Sequence, residues 1–284
     1  MTARILDCTQ AEYFADPCAV PSLSSSVAHT LVTESPLHAW NGHPRLGGVR
    51  SDSTESTDAG AIVHKLLLGK GSDIAIISAD DFRTKLARQA RDEAIAAGHV
   101  PILEHRYAEI AATAEMLRQK LLVRGVEFNG QSEVAVEWFD DGVNGPVCCR
   151  SMFDHVFMDR GLIYDLKTIR SANPKVCARH SVDYGYDIQH AAYKRALARL
   201  RPEFEGRVDM LFVFVEIQPP CDIVIARPDG QLSELGAMRW GRAVEVWERC
   251  LSRDHWPGYA ETPVRLEAPP WVIAQEMEAQ HANW

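Results

Sequence analysis

The residues of this sequence best suited to chemistry are two aspartates and a lysine. Asp154 is followed eleven residues later by Asp165-Leu166-Lys167, and the turn-forming stretch Asp159-Arg160-Gly161 lies between them. A tight hairpin centred on this turn would place Asp154 within a residue or two of the position opposite Asp165. The two-residue period of a strand would put Asp165 and Lys167 on one face. The spacing therefore predicts that two carboxylates and one ammonium group converge.

Such a group of charges suits a divalent cation. Two neighbouring carboxylates repel each other unless a positive charge lies between them, and Mg²⁺ or Mn²⁺ prefers carboxylate oxygens as ligands. The charge of Lys167 beside the ion would help a water molecule to lose a proton and would stabilise a phosphorane-like transition state. The combination predicts phosphodiester hydrolysis. The pattern alone also fits a surface hairpin in which Lys167 forms an ordinary ion pair with Asp154 or Asp165.

The surrounding sequence predicts the elements that would position these residues. Alternating or continuous apolar runs indicate strands, and amphipathic stretches with capping residues indicate helices. We predict strands over residues 131–139, 147–158, 162–168, 208–217 and 221–227, and helices from about 57 to 69, 79–97, 101–124, 183–200 and 231–253. This order predicts an α/β fold with a mixed sheet and helices packed on it. We expect a single domain over 1–284, with a mainly helical part at 1–125, the sheet core at 126–256 and a tail at 257–284.

Three further residues could contribute to a site. His64 lies on the helix after a polar loop at 41–57, and Gly60 one turn before it would allow a close approach. A single histidine on a helix is more often an ordinary structural residue, so its role depends on a metal site elsewhere. Gln189 and Tyr193 are spaced i, i+4 and share one face of their helix.

The local charge favours a polyanionic substrate. The chain has 284 residues and a net charge of −9, which argues against non-specific polyanion binding by the whole surface. Between residues 160 and 201, however, nine basic residues stand against three acidic ones, a net charge of +6. Arg170 and Lys175 in this stretch are our candidates for phosphate contacts.

Composition excludes several other classes of protein. The chain is 46% hydrophobic and 24% charged, as expected of a folded protein, and no apolar run is long enough to span a membrane. The seven cysteines form no CxxC pair, which indicates reduced thiols and argues against an iron–sulfur cluster. The start of the chain lacks the apolar core of a signal peptide, so we expect a cytoplasmic protein. GxSxG, GxxxxGK[ST] and HExxH motifs are absent.

Several ordered segments resemble a known family. Asp154 with Asp165-Leu166-Lys167 resembles the core motif of the PD-(D/E)XK nucleases. Over residues 22–271 the chain resembles their RecE-like branch of phage and prophage exonucleases, the exodeoxyribonuclease VIII type. The segments that carry this resemblance are, in order, SLSSSVAHTLVTESPLHAW, DAGAIVHKLLLG, SEVAVEW, FDHVFMDRGLIYDLKTIRSANP, YGYDIQHAAYKRAL, LFVFVEIQPP, and the ending WPGY with APPW. The resemblance implies a restriction-endonuclease-like core, a central mixed β-sheet flanked by helices, with an N-terminal helical region.

The resemblance also implies roles for individual residues. Asp154 and Asp165 would be metal ligands, His64 would be an additional ligand, and Lys167 would assist the attacking water. Glu133 would support the metal or order a water molecule.

The resemblance extends to the helix after the hairpin. Gln189 and Tyr193 match a Q-x(3)-Y motif beside the active site. This sequence departs from the family pattern at two positions. Phe153 replaces the proline of the motif name, at a position that does not touch metal. Met152 stands where many relatives have arginine, which removes one contact near the site.

The implied activity is Mg²⁺- or Mn²⁺-dependent degradation of linear double-stranded DNA from 5′ to 3′. It would leave a 3′ single strand for an annealing recombinase of the RecT or Bet type. The implied assembly is a homo-oligomeric ring around DNA. Two alternatives remain open at this point: an endonuclease or structure-specific nuclease of the same fold, and a catalytically inactive DNA-binding protein.

Overall fold

A computed structural model of the protein describes residues 2–48 and 55–282, except for the side chains of 55–58 and 281–282. The strands are β1 (Arg4–Ile5), β2 (Ile74–Ile77), β3 (Val100–Leu103), β4 (Gln131–Asp141), β5 (Pro146–Phe157), β6 (Leu162–Ile169), β7 (Asp209–Glu216) and β8 (Ile223–Ala226). The helices are α1 (Gln10–Phe14), α2 (Ser25–Thr33), α3 (Pro36–Gly42), α4 (Glu55–Leu68), α5 (Lys85–Ala96), α6 (Glu104–Val123), α7 (Pro174–Asp183), α8 (Tyr186–Leu200), α9 (Gly230–Arg253) and α10 (Pro270–Ala282). In the described part of the chain, no helix is long and apolar enough to cross a bilayer.

The main sheet has the strand order β1-β4-β5-β6-β7-β8. Neighbouring strands are antiparallel except β6 and β7, which are parallel. A parallel pair needs a long crossover, and here α7 and α8 provide it. The result is the mixed α/β sheet that the order of elements predicts.

Helices cover both faces of this sheet. On one face, α2, α8 and α9 bury Trp138, Phe153 and Trp240 in the larger hydrophobic cluster. On the other face, α4 and α6 pack through residues such as Val63 and Leu117 against β6 and β7. Alternate residues of β6 therefore enter different cores, and the hairpin that carries the candidate residues lies between two helical layers.

In the region before residue 126, several individual elements differ from those predicted. It is mainly helical, but it also contributes β1 to the main sheet, and β2 and β3 form a separate parallel pair. The helix predicted at 79–97 begins only at Lys85, with Thr84 as its N-cap. Pro101, predicted to begin a helix, lies in β3 instead, because pairing with β2 holds the chain extended before α6 starts.

Two other helix boundaries also differ. The predicted helix at 183–200 begins only at Tyr186, because Gly185 adopts a left-handed φ of 70° just before it, and α7, which the sequence does not predict, precedes it. A Cβ at Gly185 would meet the ring of His29 at 2.6 Å, so the break lets α2 approach closely. Helix α4 begins at Glu55, before the predicted start at Thr57 or Asp58. Residues 49–54 of the predicted loop lie outside the described residues.

Candidate active site

The hairpin between β5 and β6 has the predicted geometry. His155 pairs with Tyr164, which puts Asp154 opposite Asp165 in the same register. The backbone ladder stops at this point although both strands continue. Here the Asp154 side chain replaces a backbone acceptor, because its Oδ2 accepts a 2.8 Å hydrogen bond from the Leu166 N–H. The strands separate where the candidate site begins.

Asp165 and Lys167 lie on one face of β6, as the strand period predicts. Lys167 Nζ is 2.5 Å from Asp165 Oδ1 and 4.5 Å from the centre of the Tyr186 ring. Gln189 Nε2 donates a 2.6 Å hydrogen bond to Asp165 Oδ2. Asp165 is fully buried, and the Lys167 side chain is 17% exposed. Helix α8 thus fixes this carboxylate from the side opposite to α4.

His64 reaches the other aspartate from α4. Its Nε2 lies 3.2 Å from Asp154 Oδ2. Helix α4 can lie this close to β6 because Gly60, one turn earlier, has no side chain. A Cβ there would be 2.8 Å from Thr168 Oγ1. Gly69, in the left-handed region, ends the helix as the sequence predicts.

Glu133 lies opposite Asp154 on β4, because residues 132 and 134 pair with 155 and 153. Its φ of 51° is left-handed, which is rare for a non-glycine residue inside a strand. Its Oε1 lies 3.9 Å from His64 Nδ1 and 3.4 Å from Gln10 Nε2. The backbone of β4 is therefore distorted at the residue that faces the site, as often occurs where function constrains a structure.

A cleft of about 530 Å³ opens over these residues. His64, Glu133, Asp154 and Tyr193 line it. The Tyr193 side chain is buried against Phe153, at 5.4 Å between ring centres. Asp165 is fully buried and the Lys167 side chain is 17% exposed, and neither lines the cleft.

The two aspartates have different ionisation properties. Burial raises the pKa of Asp165 to about 7, although the Lys167 charge opposes this shift. Burial also disfavours the charged form of Asp154, but the hydrogen bond and the charge of His64 outweigh it and leave the Asp154 pKa below its ordinary value. Burial raises the pKa of Glu133, opposed by His64. Asp154 is therefore the carboxylate that stays ionised most readily.

The donor set fits a divalent metal ion. Three carboxylates and one imidazole converge from β4, β5, β6 and α4, which suits Mg²⁺ and, with the histidine, Mn²⁺. Asp165 Oδ1 is buried and lies 2.5 Å from Lys167 Nζ, so this ion pair must open before the oxygen can bind a metal ion. The structure does not bring one ligand atom each of His64, Asp154 and Asp165 within 4.8 Å of one another. His64 and Lys167 instead neutralise the two aspartates directly.

Neither of the two predicted phosphate contacts lines the cleft. Arg170 follows β6 directly and is exposed beside the cleft residue Thr168. Lys175 is exposed in the first turn of α7 and does not line the cleft.

The positive charge of the stretch from 160 to 201 is smaller than its composition indicates. Six of its nine basic residues form ion pairs: Arg160, Lys167, Arg179, Arg195, Arg199 and Arg201. Two of these pairs use Asp140 and Asp141 of β4, which lie outside the stretch in sequence. Counting charges in a window misses such long-range partners.

A second group of possible ligands lies on β4, on β5 and between α1 and α2. Cys18, Glu137 and Cys148 are buried, with ligand atoms within 4.8 Å of one another. Arg4 Nε is 2.5 Å from Glu137 Oε2, and the Cys148 thiol is 3.7 Å from the other oxygen. The carboxylate is thus neutralised without a metal ion.

Two residues near the site are missing from the sequence analysis. Tyr186 lies under Lys167 and is spaced three residues before Gln189, so the helical period could have identified it. Gln10 contacts Glu133 from α1, and no local sequence pattern connects positions 123 residues apart.

Comparison with known proteins identifies the family and the fold. The model of the family described as "PDDEXK-like domain of unknown function (DUF3799)" matches residues 34–265. A crystal structure of a protein from Eubacterium rectale, assigned as an exonuclease, superposes with a TM-score of 0.60 at 14% identity, covering 95% of this chain and 98% of that chain. A phage-related exonuclease from Haemophilus somnus 129PT gives a TM-score of 0.36 at 14% identity, covering 82% and 96%. Among curated protein sequences, no significant match was found. The chain belongs to the DUF3799 family of PDDEXK-like domains and has the fold of the PD-(D/E)XK nucleases.

Proposed function

We propose that the protein is a metal-dependent exonuclease that hydrolyses phosphodiester bonds of linear double-stranded DNA. The observation that carries this proposal is the convergence of Asp154, Asp165 and Lys167. His64 lies between Asp154 and Glu133 and contacts both. A protein that only binds DNA gains nothing from carboxylates beside a phosphate, since like charges repel.

Different residues of the site have different roles in the proposed reaction. Asp154, Asp165 and His64 would hold Mg²⁺ or Mn²⁺, and the bound ion would supply an activated water and neutralise developing charge on the phosphate. Once its side chain moves from Asp165 Oδ1, Lys167 would place an ammonium group next to the reacting phosphate, where it stabilises negative charge. Gln189 keeps Asp165 in orientation, and Tyr193 forms part of the wall of the cleft.

The finer features of the proposal concern substrate and assembly. We propose digestion from 5′ to 3′, a 3′ single-stranded product, a single-strand annealing recombinase as partner and a homo-oligomeric ring. The RecE-like resemblance supports all four. The exonuclease assignment of the Eubacterium rectale protein supports action at ends. We also propose that the whole chain is one nuclease domain, since β1 from its N-terminal part joins the main sheet.

A nucleotide-release assay tests the proposal. Linear duplex, with either 5′- or 3′-end label, and closed circular duplex are incubated with the protein and Mg²⁺. We expect loss of the linear substrate, release of the 5′ label first, and no cutting of the circle. Asp165→Asn and Lys167→Ala should lose at least about a hundredfold in rate, whereas Lys85→Ala on exposed α5 should not.

The results of this assay distinguish the proposed exonuclease from the two alternative functions. Cutting of closed circles by the wild-type protein would favour an endonuclease of the same fold. Duplex binding without any release, in the presence of Mg²⁺ or Mn²⁺, would favour an inactive DNA-binding protein. Circular dichroism of both variants checks that they fold.

A further inference from the structure

A second pocket adjoins the candidate cleft. It has a volume of about 820 Å³, within the range of roughly 300–1,000 Å³ that holds small-molecule-sized groups. Thr168 lines both cavities. On α4, Ala59 and Ile62 face the pocket while Gly60 and Ala61 face the cleft, so one helical turn and one threonine separate the two.

The lining of this pocket is apolar with a basic rim. Phe82, Ile95, Ile102 and Ile110 contribute apolar surface from the β2–α5 loop, α5, β3 and α6. Ile95 is 57% exposed, so its side chain is accessible to a bound group.

Three arginines, Arg91, Arg106 and Arg170, also line the pocket, and no acidic side chain does so among the described lining residues. Arg91 lies 5.7 Å from the centre of the Phe82 ring. Arg91 and Arg106 pair with Asp92 and Glu109, but these pairs are exposed on both sides and therefore weak. A phosphate can replace such carboxylates as partner. This basic rim is notable in a chain with a net charge of −9.

An apolar floor with a cationic rim matches one nucleotide unit: a flat, weakly hydrated base joined to an anionic phosphate. Bases in an intact duplex are stacked and paired, so they cannot present a face to a pocket of this kind. Only a base that has left the duplex can enter, and stacking on an aromatic ring such as Phe82 would compensate for its lost neighbours.

We propose that this pocket receives an unpaired base from the end of the strand being cut, with the arginines on its flanking phosphates. The inference rests on the proposed nuclease function and deepens it, because it makes separation of the terminal base pair part of substrate binding. A DNA strand held at Asp154 would pass Thr168 to reach the pocket.

Binding of duplexes that contain 2-aminopurine tests the inference. The fluorescent base is placed either at the terminal position or ten pairs from the end, and Ca²⁺ replaces Mg²⁺ to prevent digestion. We expect fluorescence to rise on binding for the terminal probe only, because that base leaves the stack.

A matched pair of variants tests whether the fluorescence rise depends on the pocket. Ile95→Glu puts a carboxylate into the pocket, and Leu86→Glu puts one on the same helix at a site 80% exposed and outside the pocket. Ile95→Glu should weaken binding of the duplex end by about tenfold and remove the fluorescence rise, while Leu86→Glu should do neither. An unchanged terminal signal on binding, or equal effects of the two variants, would overturn the inference. Nucleotide release by the wild-type protein in Mg²⁺ is measured separately, so failure of the pocket is distinguishable from failure of the nuclease proposal.

Discussion

His64 Nε2 lies 3.2 Å from Asp154 Oδ2 and thereby connects helix α4 to the hairpin of β5 and β6. The contact joins two segments that are 90 residues apart in sequence. It places an imidazole between Asp154 and Glu133, whose Oε1 is 3.9 Å from the other ring nitrogen. This arrangement explains why the pKa of His64 rises: burial alone would lower it, but the hydrogen bond and charge of Asp154 dominate.

Replacement of His64 by alanine should weaken metal binding. The variant loses one of the proposed ligands and the group that orients Asp154, so we expect Mn²⁺ affinity to fall by at least about tenfold. Isothermal titration calorimetry measures this directly. His105→Ala, on the exposed face of α6, is the control and should bind Mn²⁺ like the wild type. Equal affinity of the His64 variant and the wild type would remove His64 from the ligand set.

Gln189→Leu should destabilise the protein as well as reduce its activity. The substitution leaves buried Asp165 Oδ2 without its amide donor, and an unsatisfied buried acceptor costs about 1–3 kcal/mol. Urea unfolding gives the free energy change. Gln119→Leu, on exposed α6, should change it by less than about 0.5 kcal/mol. If both variants unfold alike, Asp165 does not depend on this hydrogen bond.

Two glycines of α9 should respond in opposite directions to alanine. A Cβ at Gly236 would lie 2.0 Å from the backbone oxygen of Asp187, whereas no atom of the described residues lies within 4 Å of one at Gly241. Gly236→Ala must push α9 away from α8, at a cost of about 1–3 kcal/mol. Gly241→Ala should stabilise by up to about 1 kcal/mol, because alanine favours the helix. Thermal unfolding compares them, and a stable Gly236 variant would contradict the close packing of these helices.

Stability should decrease between pH 6.5 and pH 4 partly because of His190. Burial, with a contribution from Lys194, lowers the pKa of this histidine to about 4. The unfolded chain takes up a proton near pH 6.5 while the folded protein does not, so acid favours unfolding throughout this window. At pH 5 this difference in proton uptake lowers the free energy of unfolding by about 2 kcal/mol relative to pH 7.5. In denaturant titrations over the same pH range, the free energy of unfolding of His190→Gln should fall by about 2 kcal/mol less than that of the wild type. An equal fall in both proteins would show that His190 does not cause the pH dependence.

The hairpin was predictable from sequence because its determinants are local. Turn residues at 159–161 set the register, and the two-residue period fixed which side chains face the site. The contacts of α8 were partly accessible, since Gln189 and Tyr193 share a helical face.

Other features depended on distant parts of the chain. Strands β2 and β3 have four residues each and are separated in sequence by α5, so the sequence of neither strand indicates that the two pair. The left-handed φ of Glu133 has no signal in its residue type. The ion pairs of Arg195 and Arg199 with β4 formed only once the tertiary structure brought these segments together.

A crystal soaked in Mn²⁺ tests the central claim most directly, because manganese gives an anomalous signal that locates the ion. We predict one strong peak coordinated by Asp154 and Asp165, with His64 turned to it and Lys167 moved from Asp165 Oδ1. A soaked crystal with no peak at these carboxylates, or with a peak only at exposed surface groups, would contradict the proposed metal site and the nuclease built on it.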